Sequence, residues 1–250
     1  MRNSIVGAST AIGRYSLYTN TTGTLNNAIG LEALFSNTTG SNNAATGYRA
    51  LFSNTTGSNN TADGYQALYL NTTGGNNTAF GYQSLYSNIS GTSNTAVGLQ
   101  ALTSNLASNN TAVGHRALYV STAANNTAFG FGAGINVTTG TFNILLGPNA
   151  GIGLTTGNYN TIIGGVGVPS SLTSSLILAD GLGAIKLSAD SANKLFIPTI
   201  PSSAILSDDD LLTRNRITGE IRRITGATGS FTTSDSKTVT VTNGIITSII

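Results

Sequence analysis

Small and apolar residues recur along the first two thirds of the chain at one fixed spacing, separated by Asn, Thr and Gly. One glycine marks the phase: Gly13, Gly30, Gly47, Gly64, Gly81, Gly98, Gly114, Gly130, Gly147 and Gly164. The spacing is 17 residues at seven of the nine intervals and 16 at the other two. A second glycine follows ten residues later at Gly23, Gly40, Gly57, Gly74 and Gly91, then at Gly140 and Gly157. The consensus is N-T-A-x-G-Y-x-A-L-Y-x-N-T-T-G-x-N, and its cleanest copy runs from Asn60 to Asn76. Seventeen residues are too few for a helix–turn–helix repeat. Two Gly and several Asn and Thr per unit also disfavour helix by several kcal/mol.

The pattern predicts two short strands per unit, Thr-Ala-x and Tyr-x-Ala-Leu-Tyr, with Asn-Thr-Thr-Gly as a turn. Stacked in register, such units make an all-β parallel solenoid with a rise of about 4.8 Å per coil. Each coil then touches only its neighbours.

Two columns of small residues, Ala28 to Ala128 before the glycine and Ala33 to Ala150 after it, predict a narrow interior. Neighbouring residues on a strand face opposite sides. The column that follows the second Ala is therefore expected to point outward: Leu17, Leu34, Leu51, Leu68, Leu85, Leu102 and Leu118. An outward Leu stripe predicts burial against other copies of the chain, and three-fold symmetry suits a fibre. On that assignment, Leu68→Asp dissociates a homotrimer and Gln66→Asp is silent. The alternative is a kink at the glycine that turns the Leu column into the coil.

The repeat resembles the head of YadA-like trimeric autotransporter adhesins. Asn109-Asn110-Thr111-Ala112-Val113-Gly114 matches the N-S-V-A-I-G element of that family in position, and the resemblance covers about residues 5 to 168. It implies a trimeric parallel β-roll. The period here is longer, and the sequence is expected to carry no signal peptide, heptad stalk or C-terminal membrane barrel. The N-T-A-x-G-Y-Q-A-L unit also resembles repeats of phage tail-fibre and other virion proteins. Those proteins are made in the host cytoplasm without an export signal, and the first residues here carry none.

Composition sharpens this picture. Cys is absent and His115 is the one histidine, which removes disulfides, thiolate sites and single-chain His clusters. A formal charge of +2 makes nucleic acid an unexpected partner. No apolar run approaches the roughly 18 residues of a membrane span. Six of the twenty charged residues lie in 1–168 and fourteen in 169–250. The expected organisation is a repeat solenoid over 1–168, transition strands with a Pro-containing linker over 169–203, and a C-terminal β-hairpin module over 204–250. Ser175 to Leu187 reads as two strands around a Gly-rich turn, and Phe196 to Ser203, with two prolines, as a linker or an extended crossing. Leu211–Ile224 and Thr238–Ile250 read as hairpins, the latter around Asn243-Gly244.

Candidate chemistry is sparse. The solenoid carries only Glu32 and Asp63 as carboxylates, in different repeat columns, whereas glycoside cleavage needs a facing pair. Asp208, Asp209 and Asp210 read as a solvated turn. Gly164-Gly165-Val166-Gly167 is not a phosphate loop, since no helix follows. The Asn-Thr-Thr triplets match the glycosylation pattern but fit stacked turns better. Adjacent Thr pairs do not match the alternate spacing of ice-binding solenoids. Tyr48, Tyr65 and Tyr82 share a column that could stack on sugars, although a packed aromatic ladder explains it more simply. Glu32, Arg49, Gln66, Gln83, Gln100 and Arg116 are expected to face solvent and vary freely.

No catalytic, metal or cofactor site is expected. The expected function is a structural or adhesive virion fibre or spike, with itself, other virion proteins and a host-surface glycan or protein as partners. The alternatives are a bacterial surface trimeric adhesin and a polysaccharide-cleaving spike.

Overall fold

The computed structural model describes residues 7–180 and 182–192, together with the strand backbone at 195–196, 229–232, 238–242 and 245–249. The chain divides into two compact units, 1–199 and 200–250. The first is a parallel β-solenoid, and no helix occurs among the described residues. Each coil contributes one three-residue strand: β1 (Thr10–Ile12), β2 (Asn27–Ile29), β3 (Ala44–Thr46), β4 (Thr61–Asp63), β5 (Thr78–Phe80), β6 (Thr95–Val97), β7 (Thr111–Val113), β8 (Thr127–Phe129), β9 (Ile144–Leu146) and β10 (Thr161–Ile163). They pair in sequence order and in exact repeat register, so that Ala62 lies opposite Ala45 and Ala79. Ten rungs at the usual strand spacing give a stack about 43 Å long.

The sheet crosses the composition boundary at Val168-Pro169. β11 (Leu176–Ala179) continues it in parallel, and β12 (Ile185–Ala189) then pairs antiparallel with β11, the two strands expected there. β13 (Leu195–Phe196) adds a further antiparallel strand. In the second unit, β14 (Gly229–Thr232), β15 (Thr238–Thr242) and β16 (Ile245–Ile249) form a three-stranded antiparallel sheet. Of the linker expected over Phe196–Ser203, Phe196 ends β13 instead; the rest of it, the hairpin expected over 211–224 and the turn at Asn243-Gly244 lie outside the described residues.

The second expected strand of each unit does not form. Tyr-x-Ala-Leu-Tyr is a run of turns in which two residues take left-handed backbone, as at Gln66 (φ 54°) and Leu68 (φ 51°). A third, Asn59 (φ 60°), does so before the strand. Each costs on the order of 1 kcal/mol relative to ordinary backbone. Hydrogen bonds to neighbouring coils hold them there: the Leu68 N–H donates to the Ser84 carbonyl at 3.0 Å, and the Gln66 N–H to the Tyr48 carbonyl at 2.9 Å. The corner glycine is obligatory. Gly64 has φ +143°, and a Cβ there would sit 2.5 Å from the Gly81 carbonyl oxygen.

These turns overturn the outward placement of the Leu column. Leu34, Leu51, Leu68, Leu85, Leu102 and Leu118 are fully buried within the single chain, and Leu17 nearly so, packed with both Ala columns. Strand alternation cannot be extended through left-handed residues, so Ala67 and Leu68 both enter the coil. The seven leucines therefore form no interface between copies. Leu68→Asp would place a charge in the core, and the assignment of faces on which its contrast with Gln66→Asp rested does not hold.

The core also changes its filling along the rod. Gly134 and Gly151 replace Leu in that column, while Leu145 and Ile162 replace Ala in the strand column. A Cβ on Gly134 would meet Leu145 Cδ1 at 2.6 Å, so the strand-side leucine fills the space that the turn-side leucine fills elsewhere. Total interior volume is kept, as close packing requires.

Candidate functional site

Stacking identical coils turns every repeat position into a ladder, and the ladders divide into internal and external ones. Two internal ladders are asparagines. In the first, Asn54 Nδ2 donates to Asn37 Oδ1 at 2.8 Å and to the Gly57 carbonyl at 2.9 Å, and Asn71 Nδ2 donates in turn to Asn54 Oδ1 at 2.7 Å. This is the stacking expected of the Asn-Thr-Thr triplets. The second, which the sequence reading missed, runs through Asn43, Asn60 and Asn77. Asn60 Nδ2 donates to the Gly74 carbonyl at 2.8 Å, and Asn60 Oδ1 accepts from the Asn77 backbone N–H at 3.0 Å. Its signal was the Asn that precedes Thr-Ala in every clean repeat. Both ladders satisfy buried amides completely enough to be structural.

Three external ladders lie side by side just past the corner glycine. Tyr48, Tyr65 and Tyr82 stack with ring centroids 5.1 and 5.0 Å apart, and the last pair is within 6° of parallel. Their faces are turned to one another, so each presents its edge and hydroxyl outward. Phe35, Phe52, Tyr69 and Tyr86 make a second aromatic ladder with spacings of 5.1 to 5.2 Å. Burial, then the neighbouring Tyr69 and Tyr65, pushes the Tyr86 phenol up from its ordinary pKa.

Between them runs the polar column. The guanidinium of Arg49 lies 5.0 Å from the Tyr48 ring centroid and 5.3 Å from that of Phe52, which places this column between the two aromatic ones. Its members are not independent solvent-facing groups. Arg49 pairs with Glu32 at 2.6 Å, Gln83 Nε2 donates to Gln66 Oε1 at 3.0 Å, and Arg116 Nε donates to Gln100 Oε1 at 2.9 Å.

The strand face carries a fourth exposed set. In each strand the central residue points inward and its neighbours outward. The outward positions put Ile12, Ile29, Phe80, Val97, Phe129 and Ile163 in one exposed column beside a column rich in Thr.

Among the described residues, catalytic groups do not converge. Glu32 is held by Arg49 in the polar column, while Asp63 is exposed on the strand face. His115 stacks on Phe131 at 5.1 Å as one more rung. Among the described residues no three His, Cys, Asp or Glu side chains gather as metal ligands, and no helix is long and apolar enough to cross a membrane. The Asp208–Asp210 run lies outside the described residues. No family model, no curated protein and no solved structure matches the chain.

Proposed function

We propose that the chain is a non-enzymatic structural subunit of a virion fibre or spike, a homotrimer that serves as a rigid adhesive shaft for attachment to a host surface. The observation that carries this reading is the uninterrupted, in-register stack of ten coils, bonded along its axis by backbone, asparagine and aromatic ladders. Axial bonding of that kind suits a spacer that must transmit force without bending. The resemblance to virion-fibre repeats points the same way. The small β-module at the C-terminal end acts as the part that trimerises, anchors or binds.

With the leucines inside, self-association falls to the strand face. Its six named apolar side chains are each about two-fifths exposed or more. They expose on the order of 500 Å² of apolar surface, at the upper part of the range for a monomer's largest patch, in a column that Thr46 and Asp63 interrupt between Ile29 and Phe80. With the adjoining Thr column the face approaches the roughly 800 Å² per partner of a stable interface. Phe80→Asp with Phe129→Asp should lower the mass found by sedimentation equilibrium from trimer to monomer while the far-UV spectrum stays unchanged. A wild-type protein that sediments as a monomer at micromolar concentration removes the trimer. Immunogold labelling of intact particles tests the virion assignment, and particles without label refute it.

A further inference from the structure

We propose that the strip formed by Tyr65, Tyr82, Gln66, Gln83, Tyr69 and Tyr86 binds a neutral, extended β-1,4-linked glycan lying parallel to the solenoid axis. This names the receptor class for the attachment reading, on which it rests.

Three observations converge on that ligand. The first is period. The aromatic rungs repeat every 5.0 to 5.2 Å. That is close to the rise per sugar of a fully extended β-1,4 hexose chain, in which every residue reaches the same distance along the axis. Each sugar can then meet one rung, and the next sugar meets an equivalent one. A helically coiled α-linked glucan loses this register within a few residues.

The second is hydrogen-bonding capacity. The Gln ladder uses one N–H and one oxygen lone pair of Gln83 and one lone pair of Gln66, through the 3.0 Å bond from Gln83 to Gln66 and the 3.4 Å bond from Gln100 to Gln83. At least one N–H and one lone pair per amide remain for a ligand. Flanking phenols add a hydroxyl donor–acceptor on either side. Tyr65 and Tyr82 are 43% and 46% exposed, so their hydroxyl edges reach solvent although their faces are stacked. Alternating hydroxyls and amides beside apolar ring edges match the mixed polar and apolar surface of a pyranose.

The third is charge. From Tyr65 to Gln100 the three columns carry no ionisable group other than phenols. Of the flanking charges, Arg49 is paired with Glu32, Asp63 lies on the strand face before the corner glycine, and Arg116 keeps its charge with a bond to the neutral Gln100 amide. Among the strip's own residues an anionic polymer finds no cation, and a neutral one meets no charge that must be desolvated.

Cellohexaose and chitohexaose are the probes, titrated calorimetrically into the full chain, with maltohexaose as the out-of-register control. Binding of at least one β-1,4 probe is expected, with affinity rising with chain length and levelling off near four sugars. Gln83→Met keeps the side-chain volume and removes the amide, and Tyr82→Phe removes only a hydroxyl. Each should weaken binding about ten-fold, the loss expected of a hydrogen bond or two. Thr22→Ala, in an exposed turn column of its own, should leave affinity unchanged.

The proposal is overturned if neither β-1,4 probe binds the wild type at millimolar concentration, if maltohexaose binds equally well, or if both strip variants bind as the wild type does. Sedimentation of the same samples keeps the two readings apart. Failed glycan binding with the trimer intact removes the glycan alone. A trimer weakened by Tyr82→Phe marks the strip as a contact between copies, which also defeats the proposal.

Discussion

A leucine moved from the turn side of the coil to the strand side should be tolerated where either half of the move is not. The chain performs this exchange itself, with Leu145 occupying the space above Gly134 that a turn-side leucine fills in earlier coils. The equivalent pair one run of repeats earlier is Ala62 and Leu51, both buried in the core. Ala62→Leu alone forces a branched side chain against Leu51 and should cost about 1–3 kcal/mol from overpacking. Leu51→Gly alone empties a fully enclosed site. A loss of about 2–5 kcal/mol for the missing side chain is offset by about 1 kcal/mol as the left-handed position (φ 52°) passes to glycine. In the double variant the new leucine fills the hole and the strained backbone stays relaxed. The contact with Leu68 must still adjust, since Leu145 itself stands beside Gly151, where an added Cβ would already lie 3.1 Å away. The double variant should therefore be more stable than the sum of the singles by about 2 kcal/mol or more, a coupling far above the scatter of independent sites. Urea denaturation followed by far-UV circular dichroism, at constant m-value, measures the cycle. Additive single effects would show that the two leucine positions do not share one cavity.

Two other tests address the polar parts of the rod. Asn60→Ala leaves the Asn77 N–H without its acceptor inside the coil, while the Gly74 carbonyl keeps Asn71 Nδ2 as a donor, and a loss of about 1–3 kcal/mol in urea denaturation is expected for the one orphaned group. At the β11–β12 turn, the Lys186 ammonium, then the Ala184 and Leu182 N–H groups, hold the Asp180 carboxyl below its ordinary pKa. A folded pKa below the unfolded one stabilises the turn above the unfolded value, and the effect fades as pH falls through the folded value. Amide exchange at Leu182 and Ala184 should therefore be faster in Asp180→Asn than in wild type at neutral pH. The two should converge in acid below the ordinary Asp range, and a difference that persists there contradicts the assignment.

The repeat length, the all-β class, the coil stacking and the Asn-Thr-Thr turns were legible because each depends on local residue type at a fixed spacing. In-register pairing of identical units follows from period alone, and the strands of β1 to β10 lie where Thr-Ala-x placed them. The exposed ladders were visible as columns, yet their meaning was not. Tyr48, Tyr65 and Tyr82 could have offered their faces to a ligand, and only the rise of the coil turned those faces toward one another. The polar column was read as free because sequence shows no hydrogen bond between residues 17 apart. Gln66 and Gln83 meet only because the coils stack in register.

What the sequence determined by itself was periodicity, and with it the one-dimensional stack. Which way each side chain points was decided by the tertiary structure. Left-handed backbone at Gln66 and Leu68 costs free energy in an isolated coil, and no local propensity calls for it. It is stable only when coils above and below supply hydrogen bonds and a core with room for leucine, and that cooperative gain is not a property of any seventeen residues taken alone.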